Sequence, residues 1–232
     1  KSNNELMQFA YVASHDLQEP LRKIQTFSDL ARNDGSSDQV KTYLNKIDNS
    51  AARMSSLIKD VLMYSKVSKE GKGDAHIDLN QILADVRNDY ELLISQKHAQ
   101  ILCDKLPVLS GNTLHFYQLF SNLIGNSLKF TVQNPVIRIT YRTISGHAVS
   151  DLKADVSRNY HELTFTDNGI GFEQIYADQI FGLFTRLHNK KEYDGTGIGL
   201  ALCKKIVENQ DGFIKAISTK GHGATFKIYL PV

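Results

Sequence analysis

Residues 38–66 read DQVKTYLNKIDNSAARMSSLIKDVLMYSK, and in them Val40, Leu44, Ile47, Ala51, Met54, Ile58 and Val61 recur at alternating steps of four and three. That spacing puts the apolar side chains on one seam of an α-helix, the pattern of a helical bundle. Ahead of it, Leu6, Ala10, Ala13, Leu17, Ile24, Phe27 and Ala31 recur at steps of three, four or seven and predict a helix over 2–33. Asn33-Asp34-Gly35-Ser36-Ser37 predicts the turn between the two. Pro20 sits inside the first pattern and predicts a kink one turn past His15. Two helices cannot bury two such seams between themselves, so pairing with a second copy into a four-helix bundle is expected.

Lys69-Glu70-Gly71-Lys72-Gly73-Asp74 is polar, glycine-containing and aperiodic, and marks a boundary. The expected organisation is a helical hairpin over 1–68, a linker over 69–76 and a mixed α/β domain over 77–232, an α+β chain overall. In the last part, helices are predicted over 79–96, about 114–130 and 200–209. Strands are predicted at 100–103, 136–141 and 163–166, with a closing hairpin of 213–218 and 224–230. The stretch from Thr143 to Tyr160 is too long and irregular for a hairpin connection and has no assignment.

Composition narrows the functional classes. With 41% hydrophobic and 22% charged residues the chain is globular in character, and its net charge of +2 gives no reason to expect a nucleic-acid partner. No apolar run approaches the roughly 18 residues of a membrane span, and the start at Lys1 lacks the apolar core of a signal peptide. Cys103 and Cys203 have no metal-ligand spacing and are expected to be reduced and structural, which points to the cytoplasm. The chain opens without Met and already in a helical pattern, so it is expected to be part of a longer protein with a sensor input before Lys1, soluble or membrane-anchored.

Five segments carry chemistry. In Ser14-His15-Asp16-Leu17-Gln18-Glu19-Pro20 an imidazole stands beside a carboxylate, a nucleophile with a base at hand. Asn122 and Asn126 share a helix face, with Lys129 and Phe130 about one turn on; amide oxygens suit Mg²⁺, and Lys129 offers charge to phosphates. Asp167-Asn168-Gly169-Ile170-Gly171 follows a strand, where a carboxylate can accept from an exocyclic amine such as that of adenine and glycines admit a close ligand. In Phe181-Gly182-Leu183-Phe184-Thr185-Arg186, Arg186 could reach a terminal phosphate or form a surface pair. Gly195-Thr196-Gly197-Ile198-Gly199 opens the helix at Leu200, where free N–H groups and the helix dipole favour phosphate. Residues 188–194 before it form a charged lid or a solvated loop. Each segment alone also fits a structural role, as a polar helix face, a strand-exit turn or a surface loop.

Taken in order, these segments resemble the H, N, first glycine, F and second glycine boxes of two-component sensor histidine kinase transmitters, and the likeness covers the whole chain. The resemblance implies a dimeric four-helix bundle followed by an α/β sandwich ATP-binding domain. It implies that His15 is the phosphoacceptor, polarised by Asp16, and that Asn126, with Asn122 nearby, holds Mg²⁺. Lys129 and Arg186 would steady the phosphates, Asp167 would read adenine, and the loop from Gly195 through Thr196 and Gly197 to Gly199 and Leu200 would cover the triphosphate. Phe130, Gly169 and Gly171 complete the implied ATP-binding set. The implied partners are a second copy of the chain and a response-regulator receiver domain, whose aspartate takes the phosphoryl group.

Two further functions compete. One is a nucleotide-binding dimer that relays signals without transferring phosphate. The other is an ATP hydrolase of the related sandwich type, but such enzymes carry a glutamate base four residues before the metal-binding asparagine, where this chain has Asn122. Glu19 stands where many relatives have Thr or Asn, so the resemblance does not carry over phosphatase activity toward the regulator. Leu183 and Gln210-Asp211-Gly212 also depart from the common pattern, without removing a phosphate-binding group.

Overall fold

In the computed structural model the described residues are 2–33, 36–69, 71, 73, 75–149, 154–187 and 195–232, without the side chains of 2–15 and 69. Two long helices come first, α1 (Ser2–Asn33) and α2 (Ser37–Lys69). They pack along their length, with Phe27 stacked on Tyr43 at 6.0 Å and Lys46 Nζ 4.7 Å from the Phe27 ring centre. α1 continues as helix through Pro20, which is buried. Three seam residues of α2 seven positions apart, Leu44, Ala51 and Ile58, remain exposed. The outward seam is therefore apolar and unfilled within one chain.

The remainder is built from β1 (Ala75–Asp78), α3 (Leu79–Asp89), α4 (Glu91–Gln96), β2 (Gln100–Cys103), β3 (Val108–Gly111), α5 (Thr113–Lys129), β4 (Val136–Ser145), β5 (Asn159–Asp167), α6 (Gly199–Asn209), β6 (Phe213–Ser218) and β7 (Ala224–Pro231). A five-stranded sheet has the order β2-β4-β5-β7-β6, with β2 parallel to β4 and the other pairs antiparallel; β1 and β3 form a separate pair. Inward residues of the sheet, among them Ile137, Ile139, Leu163, Phe165, Phe226 and Ile228, join α3, α5 and α6 in one core, where Phe120 meets Phe165 edge to face at 5.0 Å.

The structure departs from sequence expectation at four places. The helix expected over 79–96 divides at Tyr90 into α3 and α4. The strands β1 and β3 were not anticipated, and β1 takes up Ala75 and His76 from the end of the expected linker. β1 carries one large apolar residue, Ile77, between polar neighbours, and β3 ends in Ser110-Gly111, so neither shows the apolar run that marks β2 at Ile101-Leu102-Cys103. The helix at the second glycine segment starts at Gly199, one residue early.

The fourth departure is the unassigned stretch. β4 runs on to Ser145 and β5 begins at Asn159, so the sheet extends well past the expected ends. Cross-strand partners share a face, and the register puts Arg142, Glu162 and Tyr229 on the face away from the helices, with Phe213 opposite Tyr229. There Val149, Tyr160 and Tyr229 form a small second core, with Ile144, Ala154 and Phe213 packed against it and Phe213 stacked on Tyr229 at 4.8 Å. The described parts of the connection, 146–149 and 154–158, lie against part of the outer sheet face, held by the Gly146 N–H donating to the Arg158 carbonyl (2.7 Å) and the Asp155 N–H to the Tyr160 hydroxyl (2.9 Å).

Glu162 beside that small core is only 5% exposed. Burial pushes its carboxyl up, but hydrogen bonds from Arg142 Nε and the Tyr229 hydroxyl outweigh burial, and its pKa lies below the ordinary glutamate value. A carboxyl lowered on folding stabilises the protein above its unfolded pKa of about 4.3, and that stability is lost as pH falls through the lower folded value. Glu162→Gln is therefore expected to flatten the acid limb of a denaturation-against-pH profile and to cost about 1–2 kcal/mol near neutrality.

Both cysteines are free. Burial pushes the thiol of Cys203, on α6, up to about 12, so it stays protonated and inert in the core. Among the described residues no helix is long and apolar enough to cross a membrane.

Candidate active site

One cleft gathers most of the residues singled out from the sequence. Its walls include Asn122, Asn126, Lys129 and Phe130 from α5 and its C-cap, Asp167 and Gly171 after β5, Arg186, and Gly195, Thr196, Gly197, Gly199 and Leu200 at the start of α6. Ile170, Phe172, Ile180, Leu187 and Phe226 add an apolar surface to the same cleft. Sequence reasoning missed these apolar walls, because a ring-sized slot is lined by ordinary core residues whose pattern carries no separate signal.

Asp167 is held by its surroundings. Its Oδ1 accepts from the Gly169 N–H (2.9 Å) and the Ala224 N–H (3.1 Å), and its Oδ2 from the Ser127 hydroxyl (3.1 Å). Three donors fix the carboxylate in one rotamer while it still faces the cleft. Gly169 is not part of the wall; it contributes the N–H that orients Asp167. Gly171, at φ +57, is a wall residue, and a Cβ on it would stand 2.3 Å from the Thr219 carbonyl oxygen. Only glycine fits there.

The start of α6 differs from the starts of its neighbours. The Asp78 and Asn112 side chains cap α3 and α5, whereas α6 has no side-chain cap. Its first N–H groups and positive dipole end therefore stand at a cleft wall formed by Gly199 and Leu200. Gly195 packs close to Lys129 Nζ, which lies 4.5 Å from the Phe130 ring centre, so an ammonium stands next to the same loop.

The two asparagines of α5 differ in their surroundings. Asn122 Nδ2 donates to the Gly199 carbonyl (3.3 Å) and Asn122 Oδ1 accepts from Gln118 Nε2 (3.2 Å), so this amide braces α6 against α5. Asn126, half-buried one turn on, lines the cleft. Among the described residues no group of three or more His, Cys, Asp or Glu could hold a metal ion. A divalent ion here would suit the Asn126 oxygen together with phosphates and water.

His15 lies on α1, but its side chain is outside the described residues, as are the expected lid over 188–194 and the turn at Asp34 and Gly35. Asp16 is half-buried on α1. Sequence reasoning also gave no hint of Asp60 of α2, whose carboxylate enters the cleft wall.

Residues 111–232 match the family described as histidine kinase-, DNA gyrase B-, and HSP90-like ATPase, and residues 5–70 match the His Kinase A (phospho-acceptor) domain. The chain belongs to the two-component sensor histidine kinases. Both domains of a histidine kinase transmitter are present in the expected order, and the five boxes fall within them. Cyanobacterial phytochrome A of a Nostoc species is 35% identical over 236 residues, and the phytochrome-like protein Cph1 of a Synechocystis species 31%. The alignments span all of this chain but only 29% and 30% of those two proteins, under a third of the length of each. Among solved structures, the histidine kinase ThkA in complex with the response regulator TrrA superposes with a TM-score of 0.72 at 19% identity, over 99% of this chain and 63% of that one. Full-length ShkA in complex with AMPPNP gives 0.64 at 21%, over 97% and 45%. At those identities the likeness is one of fold.

Proposed function

We propose that this histidine kinase transmitter moves the γ-phosphoryl group of ATP onto His15 and then to an aspartate of a response-regulator receiver domain. The observation that carries it is the cleft, where a fixed carboxylate, an uncapped helix start, an ammonium and a guanidinium come together. Asp167 Oδ atoms suit the adenine amine, and the α6 N–H groups with Lys129 and Arg186 suit the phosphates. A ring nitrogen of His15 attacks the γ-phosphorus, the bond to the β,γ-bridging oxygen breaks, and ADP leaves. Asp16 orients the imidazole and stabilises the positive charge that develops on it. Mg²⁺, when bound through Asn126 and the phosphates, would neutralise charge on the leaving ADP.

The open seam at Leu44, Ala51 and Ile58 supports a homodimeric four-helix bundle. A water-activating hydrolase has less support, because the residue in the base position is Asn122, an amide engaged as a brace. The larger relatives support a sensor domain ahead of this chain in the intact protein.

The test is incubation with Mg²⁺ and γ-labelled ATP. Acid-labile, alkali-stable label on the protein is expected, as a phosphoramidate requires; ATP binding without label would overturn phosphotransfer and leave a relay. A second measurement probes the pocket. Asp167→Asn keeps an oxygen for the Gly169 and Ala224 N–H groups, but its NH₂ group meets the adenine amine donor to donor. ATP affinity measured by calorimetry is expected to fall by roughly 2–3 kcal/mol, some 30- to 150-fold, while thermal unfolding stays near wild type.

A further inference from the structure

Asp60 lies outside every sequence box, yet its carboxylate shares the cleft wall with Lys129 and Arg186. Thr196 Oγ1 donates to Asp60 Oδ2 at 2.5 Å, and the same hydroxyl accepts from the Ile198 N–H at 3.4 Å. The glycine loop that opens α6 is thereby tied to α2 across 136 residues of sequence. The tie belongs to a wider contact. The Asn209 amide, at the end of α6, donates to the Val67 carbonyl of α2, and Val67 is fully buried in the main core. In this arrangement the helical hairpin and the catalytic unit are docked through α2 and α6, with Asp60 at the end of the contact that meets the cleft.

A carboxylate there is a poor neighbour for a polyphosphate. Its charge faces the space beside the α6 start, and its hydrogen bond occupies the hydroxyl of the loop that would close over the phosphates. Burial already disfavours its charged form and raises its pKa, while the Thr196 hydrogen bond opposes that shift.

We propose that Asp60 is a positioning residue, a nucleotide-sensitive latch: it holds the Gly195–Gly199 loop against α2, and an entering nucleoside triphosphate displaces it and frees the loop. Binding of nucleotide and release of the catalytic unit from α2 are then one linked equilibrium, each favouring the other by the same factor. This inference rests on the nucleotide assignment above.

Two variants separate the latch from its charge. Asp60→Asn retains an oxygen that can accept from Thr196 but removes the charge; Asp60→Ala removes both. Hydrogen exchange of peptides covering residues 195–202 is followed without nucleotide, and AMPPNP, a non-hydrolysable ATP analogue, is titrated into each protein. Without nucleotide, Asp60→Ala is expected to exchange these amides about ten-fold faster than wild type, with Asp60→Asn close to wild type. Both variants are expected to bind AMPPNP about five-fold more tightly at low salt, a gain that shrinks at about 0.5 M salt. Unchanged exchange in Asp60→Ala, or unchanged or weaker AMPPNP binding by Asp60→Asn, overturns the latch. The near-isosteric Asp60→Asn keeps the test decisive if the alanine variant unfolds. If no protein binds AMPPNP while Asp60→Ala still exchanges faster, the nucleotide assignment has failed, and the coupling to nucleotide with it.

Discussion

His15→Ala is expected to bind ATP as wild type does and to take up no label from γ-labelled ATP. The substitution removes the nucleophile from the phosphotransfer unit and leaves the cleft, whose walls come from α5 onward and from α2, untouched. Alanine is the best helix former, so α1 should not be weakened at a position in its first half. The effect is all or none in the chemical step, since no other group is asked to accept the phosphoryl group. Mixing His15→Ala with a cleft variant such as Asp167→Asn extends the test to the dimer. At an ATP concentration too low to label Asp167→Asn by itself, label on the Asp167→Asn subunit of the mixture would mean that one protomer phosphorylates the other. Full label on His15→Ala alone would remove His15 as the acceptor.

Gly223→Ala is expected to be the most damaging small substitution in the catalytic unit. Gly223 has φ +79, and a Cβ built on it would stand 1.9 Å from the Asp167 carbonyl oxygen. Neither partner can yield cheaply. Asp167 is the last residue of β5, and the residue after Gly223 is Ala224, whose N–H holds the Asp167 carboxylate. Left-handed strain costs about 1–2 kcal/mol, and relieving the clash must part β5 from β7, for a total of about 4 kcal/mol or more. Denaturant unfolding should report that loss, with AMPPNP binding lost beside it. Gly221→Ala is the control. Its φ is +83 but nothing lies within 4 Å of its added Cβ, so only the strain of about 1–2 kcal/mol is expected. Equal losses in the two variants would mean that the close approach to Asp167 carries no energy.

Local patterns were legible wherever a segment's chemistry and its period coincide. The seam from Val40 to Val61 announced α2 because helical periodicity is written in neighbouring residues. The closing hairpin of β6 and β7 was equally plain from its alternation around a glycine-containing turn. The extension of β4 and β5 was not, because Arg142, Thr143 and Ser145 look like loop residues until the outer sheet face is known to be partly covered. Asn122 read as a ligand by type, and only the packing of α6 on α5 shows that, while lining the cleft, it also braces α6 through the Gly199 carbonyl.

The sequence by itself determined the helical hairpin, the α/β unit behind it and the order of the histidine, asparagine and glycine segments, since each depends on residues within a few turns of one another. Tertiary structure alone decided which oxygens of Asp167 are held, which asparagine braces a helix, and that Asp60 stands beside Thr196. Those depend on contacts between residues 136 apart in the case of Asp60, and nothing local distinguishes Asp60 from any other polar residue on an amphipathic helix. Its place in the cleft is set by the docking of α2 on α6, a property of two packed surfaces rather than of either segment.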